Sequence, residues 1–381
     1  MLYDKASILA YAEGNPSEAF GEPYKIFDEG RVLARLPRDP YLFMDRVVEL
    51  EPPPWELKAG GWIECEYDVP PDAWYFRANR QSTMSFAVLL EIALQPCGWL
   101  AAYVGSALHS DQDLSFRNLG GEAILHAPVT PDAGTLTMRV RMKEVSKAGG
   151  MIIEKFDMLV YQHGQCVYEG DTYFGFFSDS ALAEQVGIID ADSRHYLPTE
   201  EEKASCTSVV LEDAAPLTPY DPSTDAAPSL CMPAKALRMV DEIELFLPEG
   251  GPDKLGFLRG VKHTNPDEWF FHAHFYQDPV WPGSLGLESF LQIMRWYAIQ
   301  RWPEKQDTHE FEPIATGEPH KWIYRGQILP KPSRVEVDVV IKEVKDGERP
   351  YVKADGFLKV NGLYIYEMVD FGLRLVPHSA V

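Results

Sequence analysis

Two long stretches, at about 86–105 and about 284–302, have hydrophobic residues on nearly all sides when they are arranged as helices. A helix that is apolar on all sides is buried on all sides, so each stretch predicts a helix enclosed by other elements. Alternating polar and apolar residues flank each stretch: GWIECEYDV, TLTMRVRMKEV and MIIEKFDMLVYQ in one half, and KLGFLRGVKHT, SRVEVDVVIKEV and YVKADGFLKV in the other. Such alternation predicts strands, and one helix against an antiparallel sheet predicts an α+β architecture in each half.

The two halves of the chain repeat one another. LFMDRVVEL (42–50) matches LRMVDEIEL (237–245), and PPDAWYF (70–76) matches NPDEWFF (265–271), both at an offset of 195 residues. LLEIALQ (89–95) matches GLESFLQ (286–292) at an offset of 197, so the first copy lacks two residues of the preceding bend. VYEGDTYFG (167–175) and IYEMVDFG (365–372) extend the match, which indicates a duplication.

The repeat predicts an N-terminal extension over 1–35, a first copy over 36–180, a linker over 181–232 and a second copy over 233–381. The linker is acidic and rich in turn-forming residues, which predicts an ordered surface segment with little secondary structure. The Trp-aromatic-aromatic segments at 74–76 and 269–271 are expected in loops, with their rings in the core or beside a substrate tunnel.

Composition narrows the function classes. The net charge of -23 excludes a generally basic surface for nucleic acid or an anionic membrane. Five scattered cysteines without a CxxC motif predict neither a disulfide framework nor a cysteine-based zinc site. The N-terminal residues lack a signal-peptide pattern, and we expect no apolar run of membrane-spanning length. These features predict a soluble, cytoplasmic protein.

Residues 272–292, HAHFYQDPVWPGSLGLESFLQ, place histidines before a Pro/Gly bend and Glu288 inside an apolar helix. A charge in such a helix costs stability unless it is paired or used. The segment resembles the active-site segment of the bacterial 3-hydroxyacyl-carrier-protein dehydratases, hot-dog-fold enzymes of fatty acid synthesis, in its HF, DPV, PG, LGLE and Q. RGQILP (325–330) resembles a later strand of that family. EIALQPCGWLAAYVGS in the first copy resembles the paired dehydratase region of polyunsaturated fatty acid synthases.

The resemblance implies a tandem hot-dog fold and dehydration of 3-hydroxyacyl thioesters on acyl carrier protein to 2-enoyl products. Some members of the family also isomerise the trans-2 double bond to cis-3. Neutral imidazole suits removal of the C2 proton, and a carboxylic acid in apolar surroundings can protonate the leaving hydroxyl. A backbone N–H at a helix N-terminus can stabilise the thioester carbonyl. We expect catalytic roles for His274, Glu91, Glu288 and Gly283, and substrate-binding roles for Gln95, Gln292, Pro282 and Phe275.

The first copy departs from the family at the position of the base. Asn79 stands where the second copy has His274, and QSTMSF replaces the DPVWPG bend, while Glu91 and Gln95 are retained. In the resembled family, each site lies at a dimer interface and takes its histidine and its acid from different subunits. If the two copies pair as an internal pseudo-dimer, His274 meets Glu91 and Glu288 faces Asn79, which predicts one working site per chain.

The expected reaction uses acid–base chemistry only, so it requires no bound cofactor. The phosphopantetheine arm belongs to the carrier protein. The expected partners are acyl carrier protein, its 3-hydroxyacyl thioester and other synthase domains. No metal is expected: His272 and His274 could share a face of an extended segment, but no third ligand stands at matching spacing. Ser284 lacks the flanking glycine pattern of a nucleophile elbow. A hot-dog thioesterase and a non-catalytic acyl-binding module remain open.

Overall fold

The computed structural model describes residues 1–148, 150–204, 206, 208–211 and 229–378. Its helices are α1 Lys5–Ala12, α2 Pro16–Phe20, α3 Lys25–Asp28, α4 Trp74–Asn79, α5 Phe86–Tyr103, α6 Asp179–Ala183, α7 Ala191–Arg194, α8 Glu200–Ala204, α9 Trp269–Ala273 and α10 Gly283–Arg301. Its strands are β1 Arg46–Leu50, β2 Trp62–Asp68, β3 Ser115–Leu125, β4 Thr135–Ala148, β5 Met151–Gln162, β6 Gln165–Phe177, β7 Val209–Val210, β8 Glu242–Leu247, β9 Phe257–Thr264, β10 His309–Phe311, β11 Pro319–Tyr324, β12 Ser333–Lys345, β13 Tyr351–Val360 and β14 Leu363–Pro377.

One antiparallel sheet runs through both copies. Its order is β1-β2-β4-β5-β6-β3-β11-β14-β13-β12-β9-β8-β7, and β10 pairs separately with β14. The copies join at β3 and β11, where residues 120–124 pair with residues 319–323. The strand orders on the two sides mirror each other about this junction. The chain therefore folds as a double hot-dog, an α+β fold in which each half-sheet wraps one long helix.

The helices α5 and α10 form the cores of the two copies and pack against each other. Every residue of α5 except Gly98 is buried, as the uniformly apolar sequence predicts. The expectation that no apolar run reaches the length of a membrane span was wrong. Phe86–Tyr103 is long and apolar enough to span a bilayer, but 94% of that stretch is buried inside the protein, because the half-sheet covers it.

Strand registers refine the alignment of the copies. Asp45 and Asp241 occupy equivalent positions, because each backbone N–H bonds the neighbouring strand and each carboxylate accepts from a backbone N–H there. These two residues are 196 positions apart, whereas the sequence match at 42–50 used an offset of 195. That match is therefore shifted by one residue from the structural equivalence. The connection from β1 to β2 in the first copy is one residue longer than that from β8 to β9, which restores 195 from β2 onward.

The Trp-aromatic-aromatic segments differ from expectation. They form the short helices α4 and α9 instead of loops, and the rings of Trp74 and Trp269 pack edge to face across the two copies at 5.0 Å. The predicted linker, 181–232, includes the end of α6 and the short elements α7, α8 and β7. Its residues 205, 207 and 212–228 lie outside the described part of the chain.

Candidate active site

His274 follows α9 and begins the bend that leads into α10. Its side chain is 8% exposed, and Nδ1 lies 3.1 Å from the carbonyl oxygen of Val280. Because a carbonyl only accepts hydrogen bonds, Nδ1 carries the hydrogen and Nε2 keeps its lone pair. Burial lowers the pKa of His274 to about 3, although the bond to Val280 opposes this shift. The imidazole is therefore neutral at neutral pH and can accept a proton at Nε2.

Glu91 lies in the middle of α5, in the other copy, and is 6% exposed. Burial raises its pKa to about 7, although hydrogen bonds from Ser284 and Gln95 oppose this. The Ser284 hydroxyl donates to Oε1 at 2.7 Å, and the Gln95 amide donates to Oε2 at 3.4 Å. A substantial fraction of Glu91 is protonated near pH 7, which is the state that a general acid requires.

The side chains of His274 and Glu91 both line a cavity of about 100 Å³ between the two copies. His274 and Phe275 come from the bend of the second copy, and Gly283 comes from the start of α10. Glu91 and Gln95 come from α5 of the first copy. The fold therefore brings together the predicted histidine of one copy and the predicted acid of the other.

The N-terminal segment also forms part of the cavity wall. Residues 35–37 line the cavity close to Gly98 of α5. A Cβ atom added to Gly98 would lie 3.3 Å from a methyl group of Leu36, so a small residue keeps this end open. Of these residues only Arg35 belongs to the predicted extension 1–35, and 36–37 begin the first copy; the contribution of this segment to the wall comes from packing that the sequence pattern does not reveal.

Two residues fix the start of α10 beside the cavity. Pro282 is the N-cap residue, with φ -59° and ψ 127°, and it is not among the described residues that line the cavity. Gly283 is the first helical residue, whose N–H has no carbonyl partner within the helix. A Cβ atom at this position would lie 2.8 Å from the ring of Tyr324, so glycine is required for packing. Its N–H is available as the predicted carbonyl donor.

An ion pair between the copies fixes the bend that carries His274. Arg117 of β3 makes two hydrogen bonds of 2.7 Å to the carboxylate of Asp278, and both side chains are mostly buried. Arg117 also donates to Gln327 at 3.0 Å and lines the cavity. Asp278 belongs to the motif that identified the site, but no sequence signal singled out Arg117, because the pairing depends on two distant segments meeting.

Glu288 lies outside this cavity, at the position in α10 that is equivalent to that of Glu91 in α5. It is fully buried, and its Oε2 accepts a hydrogen bond of 3.1 Å from the N–H of Ala87 at the start of α5. The Arg295 guanidinium lies 3.8 Å from Oε1 and donates to the side-chain oxygen of Asn79 at 2.8 Å. Burial raises the pKa of Glu288, and the Arg295 charge partly offsets this. Among the described residues, Glu288 does not line the cavity.

Asn79 occupies the structural place of His274. Its amide donates to the carbonyl of Thr83 at 2.7 Å, just as His274 contacts the carbonyl of Val280. Two larger residues fill this second position. With the offset of 197 residues that relates the helices, Arg295 replaces Gly98 and Phe86 replaces Gly283. The second position therefore lacks both the base and the open space of the first.

Two expectations need correction, one for Gln292 and one for the pair His272 and His274. Gln292 donates to the carbonyl of Leu237 at 2.9 Å, accepts from the N–H of Met239 at 2.8 Å, and lies outside the described cavity wall. Its amide anchors α10 to the segment before β8, so a direct substrate contact is not supported. Gln95 anchors α5 in the same way and also reaches the cavity. His272 is exposed on α9 whereas His274 is buried, so the two do not share the face of an extended segment.

Comparison with known proteins adds a family to this geometry. The FabA-like domain matches residues 36–171 and 232–369. One component of the polyunsaturated fatty acid synthase of Thraustochytrium sp. is 31% identical over 388 aligned positions, which cover 97% of this chain and 26% of that protein. The chain thus spans about a quarter of the length of this relative.

Solved structures also align with this chain. The dehydratase domain from the CurJ module of the curacin polyketide synthase aligns with a TM-score of 0.45 and 13% identity, covering 88% of this chain and 96% of that domain. A Lactobacillus plantarum protein assigned as an oleoyl thioesterase aligns with a TM-score of 0.45 and 8% identity, covering 85% and 99%.

Proposed function

This chain belongs to the FabA-like family, and from that premise we propose that it dehydrates 3-hydroxyacyl thioesters carried on acyl carrier protein, within a polyunsaturated fatty acid synthase. The observation that carries the proposal is one cavity with two oppositely shifted groups. Burial lowers the pKa of His274 to about 3 and raises that of Glu91 to about 7. Between these values the histidine is a neutral base and the carboxyl is a protonated acid.

In the proposed reaction, Nε2 of His274 takes the C2 proton of the substrate. The C3–O bond breaks as Glu91 supplies a proton to the departing oxygen, which leaves as water, and the C2–C3 double bond forms. The N–H of Gly283 donates to the thioester carbonyl while it gains negative charge. Return of the proton from His274 to Glu91 restores the starting state. Ser284 and Gln95 hold the carboxyl of Glu91 in place throughout.

Hydration of a trans-2-enoyl thioester of a phosphopantetheine mimic provides the first test. Loss of the enoyl absorbance and a mass gain of one water are expected for the wild-type chain, with His274→Ala inactive. Release of free acid without a hydrated product would instead indicate a thioesterase. Binding of the thioester without either reaction, in the presence of carrier protein, would indicate a non-catalytic module.

The pairing of the copies has its own test. Glu91→Gln is expected to lower kcat by about a hundredfold or more, in the range of losing a positioned general acid. Glu288→Gln is the matched variant, because it makes the same change at the equivalent position of the other helix, where Arg295 and Asn79 surround the carboxylate. Full activity of Glu91→Gln together with loss of activity in Glu288→Gln would contradict the proposed site.

A further inference from the structure

Tyr324 has a buried hydroxyl that was given no role in the reaction proposed above. The residue ends β11, is 4% exposed and lines the cavity. Its hydroxyl makes no hydrogen bond with any described residue. An unpaired buried hydroxyl is destabilising, and such a group in a cavity wall calls for a partner other than the described protein groups.

The hydroxyl lies at the N-terminus of α10. A Cβ atom placed on Gly283 would lie 2.8 Å from Cζ and 3.0 Å from the hydroxyl oxygen of Tyr324. The N–H of Gly283, in the first turn of α10, has no intrahelical partner, and the helix dipole makes this end favourable for negative charge. Two hydrogen-bond donors therefore stand side by side at the wall that also carries Glu91.

The other copy lacks the tyrosine hydroxyl, and a phenylalanine side chain takes the place of the glycine. Tyr324 pairs with Tyr366 across β11 and β14, and the pairing of Leu125 with Tyr168 across β3 and β6 is its equivalent. Leu125 thus replaces Tyr324 in the first copy, and Phe86 replaces Gly283 at the start of the helix. The tyrosine and the glycine occur together only at the position where His274 and Glu91 meet.

We propose that the Tyr324 hydroxyl and the Gly283 N–H together bind the carbonyl oxygen of the acyl thioester. This inference rests on the dehydration proposed above. Both groups donate hydrogen bonds, and neither transfers a proton. As His274 removes the C2 proton, the carbonyl oxygen gains negative charge and the two bonds strengthen, which lowers the barrier to enolate formation. Burial raises the pKa of Tyr324 well above its ordinary value, so the hydroxyl stays protonated as a donor.

Tyr324→Phe tests this role with little risk to folding, because the hydroxyl has no partner among the described residues. Removing one oxyanion donor is expected to lower kcat about a hundredfold, with KM changed by only about twofold, because the bond matters most in the transition state. Tyr351→Phe is the control: its hydroxyl is also buried and unpaired among the described residues, but it lies outside the cavity wall. That variant should keep wild-type kcat.

The infrared carbonyl stretch separates direct binding from a structural effect. A carbonyl-labelled trans-2-enoyl thioester bound to His274→Ala, which does not turn it over, should absorb at lower frequency than in solution. Adding Tyr324→Phe should return the band part of the way, and adding Tyr351→Phe should not. An unchanged kcat in Tyr324→Phe, or a lower kcat without a carbonyl shift, would overturn the inference while the dehydratase proposal stands. Absence of hydration by the wild-type chain would remove both.

Discussion

Glu91 is expected to destabilise the folded protein at alkaline pH, and this cost is measurable. Its pKa rises from an ordinary value of 4.5 to about 7 because its side chain is buried. At about 1.36 kcal/mol per pH unit, the difference corresponds to an upper value of about 3.4 kcal/mol. A raised carboxyl pKa means that the folded state holds the proton more tightly, so the stability contribution is lost as pH rises from 4.5 towards 7.

Glu91→Gln removes this titration while keeping the shape of the side chain. The free energy of unfolding is measured by urea denaturation for both proteins at about pH 5 and about pH 8.5. The stability of Glu91→Gln relative to wild type should improve by about 2.5 kcal/mol between the two pH values. Taking this difference cancels any effect of the substitution that does not depend on pH.

Glu201→Gln is the control for the substitution itself, since Glu201 has an exposed side chain in α8 and lies outside the described cavity wall. A Glu91→Gln effect that is equal at both pH values would show that Glu91 titrates in its ordinary range. The argument for a protonated acid in the cavity would then fail, whatever the activity of the variant.

Other outcomes follow from the same site. Dehydration kcat/KM should fall about tenfold per pH unit above about 7, as Glu91 loses its proton; a flat profile to pH 9 would exclude this carboxyl as the acid. Arg117→Met should lower kcat by about 10- to 100-fold, because it removes charged hydrogen bonds to Asp278 worth about 1.5–3 kcal/mol; unchanged turnover would show that the bend holds without the pair. Arg295→Met should lower the free energy of unfolding in urea by about 3–5 kcal/mol, and adding Glu288→Gln should restore most of this loss. Losses that add up in the double variant would mean that these two side chains do not interact.

Local patterns in the sequence predicted much of the fold. The apolar stretches and alternating segments identify α5, α10 and the long strands because periodicity reports which faces are buried. The repeat and the His-to-Glu segment identified His274 and Glu91 as candidates, and the structure brings both to one cavity. The one-residue displacement at β1 went unnoticed, because hydrophobic matches at 42–50 tolerate a shift that strand pairing does not.

The remaining site residues depend on contacts between distant segments. Arg117 and Tyr324 lie on strands whose sequences do not single them out, and their roles arise only when β3 and β11 pair at the junction. The role of Arg295 is equally hard to predict from the sequence, because an arginine in an apolar helix can be exposed, paired with a carboxylate or packed into space between other side chains. Its contacts with Asn79 and Glu288 decide the matter.

The exchange of Gly98 for Arg295 and of Gly283 for Phe86 bears on the history of the duplicated gene. A homodimer of the second copy would set His274 against a helix that carries Arg295, and a homodimer of the first copy would have no histidine base. Neither half can now replace the whole by pairing with itself. Each half therefore depends on the retention of the other, since regaining two symmetric sites would require simultaneous changes at several buried positions, each destabilising when made alone.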